Sequence, residues 1–543
     1  MSYNSKMKKL ILFTSILFAY GSVVAQQAQT KHPLNWHLLS YDADSVYGVG
    51  VQKAYAELLQ GKKSNKIIVA VLDTGIDTLH EDLKNVLWTN KKEIAGNGID
   101  DDKNGYVDDI HGWSFLGSKD GKQNVENGSS EADREYVRIL KKYNNDTTKI
   151  TDPKEKAYLH FLLPKLKVVS LRNHLESMKE IYFGMLKVDS VLRDYYKTDS
   201  VSYEQVTQFK TDDPQLMIAA GRLRTEMYNQ KGPRSVKAAI EFRKAIYERV
   251  KENLNDARNL KVDERVVVGD DPDDINDRFY GNNLLLFKPS GHGTHVSGII
   301  GAQRNNGNNA NGIADNVEIM TVRVVPQGDE YDKDIACGIR YAVDNGAKII
   351  NMSFGKGVSA HKEWVDDAFK YAESKGVLLV HAAGNDSKNS DSIPSYPTKN
   401  LIKGGALNNF INVGASASSG IATGFSNYGK TQVDIFAPGA NILSTMPDNK
   451  YAESQGTSMA APVVSGVAAL VWSYYPELTM VQLKDILLKS VTVITKETSL
   501  PGNRRVKVTF DKLCITGGIV NAYNAVKMAE EMKTKKNSGK KAK

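Results

Sequence analysis

Four polar residues set in apolar or glycine-rich surroundings could together do chemistry. Ser458 opens the segment QGTSMAAPVVSGVAALVWSYYP (455–476), which is almost wholly apolar behind it. A serine in the first turn of a buried helix lies near unpaired N–H groups and the positive end of the dipole. Serine is a poor nucleophile at its own pKa and needs an adjacent base. His292, flanked by glycines in SGHGTHVSGIIGA (290–302), can approach a substrate and take a proton near neutral pH. Asp73, after KIIVAVL (66–72), can fix the imidazole tautomer and stabilise the imidazolium that forms. Asn385, after GVLLVHAAG (376–384), can donate its side-chain N–H to an oxyanion, beside the backbone N–H of Ser458. The chemistry predicted is acyl transfer.

These residues need elements to bring them together. KIIVAVL, GAKIINMSF (346–354) and GVLLVHAAG have the length and β-branched content of buried strands. Helical patterns at 335–345 and 362–375 precede the last two. Alternating helices and apolar strands imply an α/β fold with a parallel sheet covered on both faces. Active sites in such sheets lie outside the carboxyl ends of the strands. Asp73, Ser353 and Asn385 all follow predicted strands, so they are expected at one edge of one sheet. An apolar-all-round helix behind Ser458 is expected to be central and buried.

The blocks VLDTGID around Asp73, GHGTHVSG around His292, AAGN ending at Asn385 and GTSMAAP around Ser458 resemble the four signature blocks of subtilisin-like serine proteases. FSNYG (425–429) and APG (437–439) resemble further stretches of that family. The resemblance covers about 36–90 and 285–525. It implies a doubly wound, mainly parallel sheet of subtilisin type. It also implies a serine endopeptidase with protein or peptide substrates and no cofactor for catalysis. Asp73, His292 and Ser458 would be its triad and Asn385 its oxyanion-hole donor. His80 and His295 would be structural. Lipase-like enzymes run Ser, Asp, His around G-x-S-x-G; here the order is Asp, His, Ser, in G-T-S-M-A. An inactive binding protein on the same fold is the other class, and the intact triad gives it no support.

Several features depart from the family. Asp73 and His292 are 219 residues apart, against a few tens in compact members. Between them, Leu171, Leu175, Met178, Tyr182, Met185, Val188, Leu192 and Tyr195 recur at spacings of three and four. So do Val236, Ala239, Phe242, Ile246, Val250 and Leu254. These are amphipathic helices. A large helical insertion over 125–280 is predicted, dividing the catalytic domain into 26–124 and 281–526. Such an insertion could gate a narrow processing or autocatalytic peptidase. No separate inhibitory prodomain is expected between Gln26 and NWHLL (35–39). The acidic stretch GDDPDDIND (269–277) reads as a solvated loop.

NGIDDDKNGYVDDIHGW (97–113) has the alternation of a calcium loop. Asp100, Asp102, Asn104, the Tyr106 carbonyl and Asp108 are the candidate ligands, with Gly105 at the sharp turn. His111 stands where a bidentate glutamate is usual. A second candidate follows from the resemblance: Asp82 with QRNNGNN (303–309), including Asn305, resembles the family's structural calcium site.

The chain has 543 residues, 25% charged and 41% hydrophobic, which excludes collagen-like, mucin-like and wholly disordered classes. Its formal charge is +8. Lys6, Lys8 and Lys9 supply three of these, ahead of an apolar run from Leu10 to Ala25. That pattern is a signal peptide over 1–25, so an exported protein, periplasmic or extracellular, is expected. No transmembrane segment is expected after its removal. The tail from Lys527 supplies the remaining surplus of five and is expected to be disordered. The body is neutral, which argues against nucleic acid as a partner, and a monomer is expected. Cys337 and Cys514 read as buried thiols.

Overall fold

The computed structural model describes residues 32–230, 232–258, 264–286, 290–308 and 310–541. The expected signal segment lies outside them. The chain divides into two compact units. In its described part, the first comprises 32–128 and everything from Glu264 onward, and the second is Ser129–Asp263.

Among the described residues there are thirteen strands, nine of which form the main sheet of the first unit. In chain order the strands are β1 (Ile67–Asp73), β2 (Gly112–Ser114), β3 (Val317–Arg323), β4 (Ile349–Met352), β5 (Leu378–Ala382), β6 (Phe410–Ser416), β7 (Ile435–Pro438), β8 (Ile442–Met446), β9 (Lys450–Ser454), β10 (Thr492–Val493), β11 (Thr498–Leu500), β12 (Asn503–Val508) and β13 (Gly518–Ile519). The sheet runs β10-β13-β7-β6-β5-β4-β1-β3-β2. Every pair is parallel except β10 with β13. β8 with β9, and β11 with β12, form separate antiparallel pairs.

Alternation sorts each strand between two cores. Val69 and Val71 of β1 face a core shared with the helices Gly291–Gly301 and Thr457–Tyr474. Ala70 and Leu72 face the opposite core, with the helices Asp332–Asp344 and Lys362–Ser374. Residues i and i+2 share a face in a strand, so a sheet buried on both sides reads as a continuous apolar run. The α/β, doubly wound architecture is thereby present. Thr457–Tyr474 has the length and hydropathy to cross a bilayer, but 89% of it is buried inside the fold. It is the central helix of the unit.

Strand β1 lies between β3 and β4, so the winding reverses there. The carboxyl end of β1, where Asp73 sits, is a topological switch point, the usual place for a ligand crevice in open α/β sheets.

The second unit is helical: Glu131–Lys142, Pro153–Leu162, Lys167–Tyr196, Tyr203–Gln208, Pro214–Tyr228 and Val236–Arg258. Ser202 and Gln205 form a capping box at one start, and Asp213 caps another ahead of Pro214. Met185, Val188, Leu192, Leu223 and Met227 are fully buried in its core. Tyr195 and Phe242, expected on the buried stripes, are instead exposed.

Two further expectations are corrected. The boundary placed at 280 falls before Glu264, because 264–286 belongs to the first unit. Arg265 is buried there between Asp334 (2.5 Å) and Asp270 (2.7 Å), and Asn282 pairs with Ser114 through both backbone groups. The acidic stretch 269–277 thus supplies a buried ion-pair partner, Asp270, rather than only a solvated loop. The tail is also not an irregular coil: the helix Ala522–Lys541 runs through it. Ala522, Ala525, Val526 and Ala529 recur at helical spacing and bury against the core. Cys337 and Cys514 are both buried free thiols.

Candidate active site

Asp73 is the last residue of β1. One of its carboxylate oxygens, Oδ1, accepts from the Thr74 amide at 2.7 Å and lies 2.7 Å from Nδ1 of His292. Val324 and Val325 both donate backbone N–H groups to the Asp73 carbonyl. The turn after it is tight. Gly75 has φ +104°, and a Cβ there would lie 2.6 Å from the Leu285 carbonyl. Only glycine fits without displacing that backbone. Thr74 Oγ1 then accepts from the amide of Gly293, the neighbour of His292.

His292 is the second residue of its helix, Gly291–Gly301, and Ser458 the second of Thr457–Tyr474. The two helices pack on each other, and the first packs on β1. Both side chains therefore stand at helix N-termini beside the same strand end. Burial disfavours the charged imidazole of His292. The charge of Asp73 and its hydrogen bond outweigh that, so the pKa is held above the ordinary histidine value. Ser458 Oγ donates to the Ser353 carbonyl at 3.1 Å, and Ser353 Oγ donates back to the Ser458 carbonyl at 2.9 Å. The structure brings Asp73 and His292 into hydrogen bond and leaves Ser458 on Ser353.

Asn385 follows β5 on an exposed turn. Its Oδ1 accepts from both the amide and the hydroxyl of Thr457, at 2.9 and 3.0 Å. Two donors on the oxygen fix which way the amide faces and leave its N–H₂ to act as donor. Met459 and Ala460 donate their amides to the Gly456 carbonyl. None of these bonds uses the Ser458 amide. Thr457 is the residue that sequence reading missed: it lies within the GTS block, but only the pairing across 72 residues reveals its partner.

His295 and His80 are bound into the framework. His295 is buried, with Nε2 3.1 Å from the Ala452 carbonyl, and burial pushes its pKa down to about 4. His80 lies 3.2 Å from the Lys450 carbonyl and accepts from the Asp82 amide.

The acidic loop is organised differently from its sequence spacing. Asp100 and Asp102 gather with Glu93, which that spacing did not include, one carboxylate oxygen from each lying within 4.8 Å of the others. Asp108 turns instead to the amides of Gly96 and Gly98. Asn104 accepts from the Tyr106 amide and donates to Asp109. Three hard oxygen donors at this distance suit a cation such as calcium. At the second place, Asp82 is buried and takes the amides of Asn306 and Asn308 and the hydroxyl of Tyr451. Asn305 is not among its partners; its backbone amide donates to Asn311.

Comparison with known proteins gives a consistent picture. The profile of the subtilase family matches residues 64–510. The thermophilic serine proteinase of Bacillus sp. (strain AK1) is 35% identical over 255 residues, 46% of this chain and 55% of that protein. The cell wall-associated protease of Bacillus subtilis (strain 168) is 36% identical over 226 residues, 41% of this chain and 24% of that protein. Subtilisin DY of Bacillus licheniformis is 37% identical over 207 residues, 37% of this chain and 71% of that protein. The chain thus spans about half of the first relative and a quarter of the second.

Proposed function

The chain belongs to the subtilase family, and we propose that it is an exported serine endopeptidase acting through Asp73, His292 and Ser458. The observation that carries this reading is the 2.7 Å contact of His292 Nδ1 with the buried Asp73 carboxylate. The carboxylate accepts a hydrogen bond from Nδ1–H, which fixes the tautomer and leaves Nε2 as the base. Ser458 Oγ attacks the scissile carbonyl as Nε2 takes its proton. The tetrahedral oxyanion is held by the Asn385 side-chain N–H and the Ser458 amide. His292 then returns the proton to the leaving amine, and the acyl-enzyme is hydrolysed by the reverse sequence. Thr457 is a positioning residue, since it grips the acceptor end of Asn385.

No cofactor enters these steps. Calcium is proposed as a structural ion only, at Glu93, Asp100 and Asp102, with Asp82 as the second candidate. Export is supported by the lysines and apolar run at 6–25. The test is casein hydrolysis together with labelling by a serine-directed phosphonofluoridate. The wild type is expected to cleave and to be labelled at Ser458, and Ser458→Ala to do neither. An unlabelled wild-type protein that leaves casein intact would sink the reading.

A further inference from the structure

The catalytic reading leaves one buried polar side chain of the main sheet unused. Asn351 lies in β4, paired with Val71 of β1 and Val380 of β5, and is fully buried. It shares a face with Ile349, which packs in the core that holds the helix Thr457–Tyr474. A buried amide is costly unless its polar atoms are bonded. Here Ser465 Oγ donates to Asn351 Oδ1 at 2.9 Å, and Asn351 Nδ2 donates to Ser353 Oγ at 3.0 Å. Those two contacts fix which end of the amide faces which serine. Ser353 Oγ in turn donates to the Ser458 carbonyl at 2.9 Å. The three hydrogen bonds run in one direction. They leave the helix at Ser465, cross the end of β4 and return to the helix at Ser458. Ser465 is seven residues past Ser458, two turns along the same face. Asn351, Ser353 and Ser465 are all buried.

The last of these bonds has its reason in the helix sequence. In an α-helix the carbonyl of residue i accepts from the N–H of residue i+4. For Ser458 that residue is Pro462, which has no N–H and whose ring crowds the carbonyl four residues back. The Ser458 carbonyl therefore lacks its ordinary donor within the helix, and the Ser353 hydroxyl supplies one. The Ser353 carbonyl also accepts from Ser458 Oγ. One residue at the strand end thus holds both the backbone and the side chain of Ser458, and its own hydroxyl is held by Asn351.

We propose that Asn351 and Ser353 are positioning residues for the nucleophile. Their side chains replace the helix bond that Pro462 removes, and so fix the turn that presents Ser458 Oγ to His292. This rests on the endopeptidase reading of the site.

The test is a cycle of substitutions in the full chain. It is read by kcat and KM on a short peptide, and by the rate at which a phosphonofluoridate labels Ser458. Ser353→Ala deletes the donor with little change in volume. One net hydrogen bond is worth about three- to tenfold, so kcat and the labelling rate should fall by about that factor with KM little changed. Asn351→Ala should lower both as well. The two substitutions together should cost little more than Asn351→Ala alone, because both act through one bond. Pro462→Ala returns an N–H to the helix. In that background Ser353→Ala should cost less than about twofold. A merely structural role would lower Tm and leave kcat, the labelling rate and the dependence on Pro462 unmoved. The proposal is overturned if Ser353→Ala keeps kcat within about twofold of wild type, or if its cost is the same with proline or alanine at 462. An active wild type with such a flat cycle sinks the positioning role alone. If the wild type neither cuts the peptide nor takes the label, the endopeptidase reading falls, and the positioning role with it.

Discussion

The sheet-bearing unit and the helical unit draw on similar apolar residues arranged on different periods. In the first, runs such as Ile67–Asp73 bury both faces of a parallel sheet and end at polar residues. In the second, Met185, Val188 and Leu192 recur at three and four and close a core among helices. The first ends its strands at one edge, where side chains from distant sequence converge. The second buries stripes along its helices. The proposed chemistry sits at the strand ends, whereas the buried Glu135 of the helical unit is taken up by Arg138 and Tyr158 of the same unit.

Substitutions can break this comparison or sharpen it. The largest effect is expected for Ser458→Ala, which should lower kcat by about 10⁶-fold, a size established on proteases of this kind. A residual rate within tenfold of wild type would move the chemistry elsewhere. Asp73→Asn should cost about 10⁴-fold in kcat, as in other triads. It also tests the titration. A general base must be neutral, and Asp73 raises the His292 pKa, so wild-type activity should rise with pH through a midpoint above about 6.5. Removing the carboxylate leaves burial alone, which lowers the pKa, so the acid limb of Asp73→Asn should move to lower pH. A pH–rate profile of each protein checks the sign. Asn385→Ala should cost about 10²–10³-fold in kcat with little change in KM.

Smaller effects probe the other unit and the acidic loop. Leu192→Ala removes a fully buried side chain and should destabilise the helical unit by about 2–5 kcal/mol. Hydrolysis of a short peptide should be unchanged, read by denaturant unfolding alongside kcat. A large loss of peptide activity would mean that the units share function. The mildest expectation concerns calcium: a chelator should lower Tm by a few degrees, and Asp102→Asn should blunt that response. An unchanged Tm would remove the structural ion.

Much of the first unit was legible because its signals are local. The end of β1, the glycines beside His292 and the apolar run after Ser458 each carry their meaning within a few residues. Thr457 was not legible as a positioning residue, because its partner Asn385 is 72 residues away. Glu93 was missed for the same kind of reason. It lies before the loop whose spacing suggested a metal, and the turn at 94–102 folds it back. Asn306 and Asn308 rather than Asn305 reach Asp82, and in a run of asparagines composition does not say which amide points inward. The boundary at 264 depended on Arg265 finding Asp334, 69 residues on. The exposed Tyr195 and Phe242 show the limit of a stripe: periodicity assigns a face, not the width that a neighbour covers.

The placement of β1 beside β3 bears on how the chain is made. Ile67 pairs with Val317, and the whole helical unit is synthesised between them. That unit is continuous in sequence, so it can complete its core while β1 still waits for its partners. The central sheet needs contacts across hundreds of residues, which form late because chain closure precedes any reward. The helix that backs the sheet and carries Ser458 comes later still. A nascent chain on the ribosome thus holds Asp73 long before it holds Ser458, and the proposed triad is complete only late in synthesis.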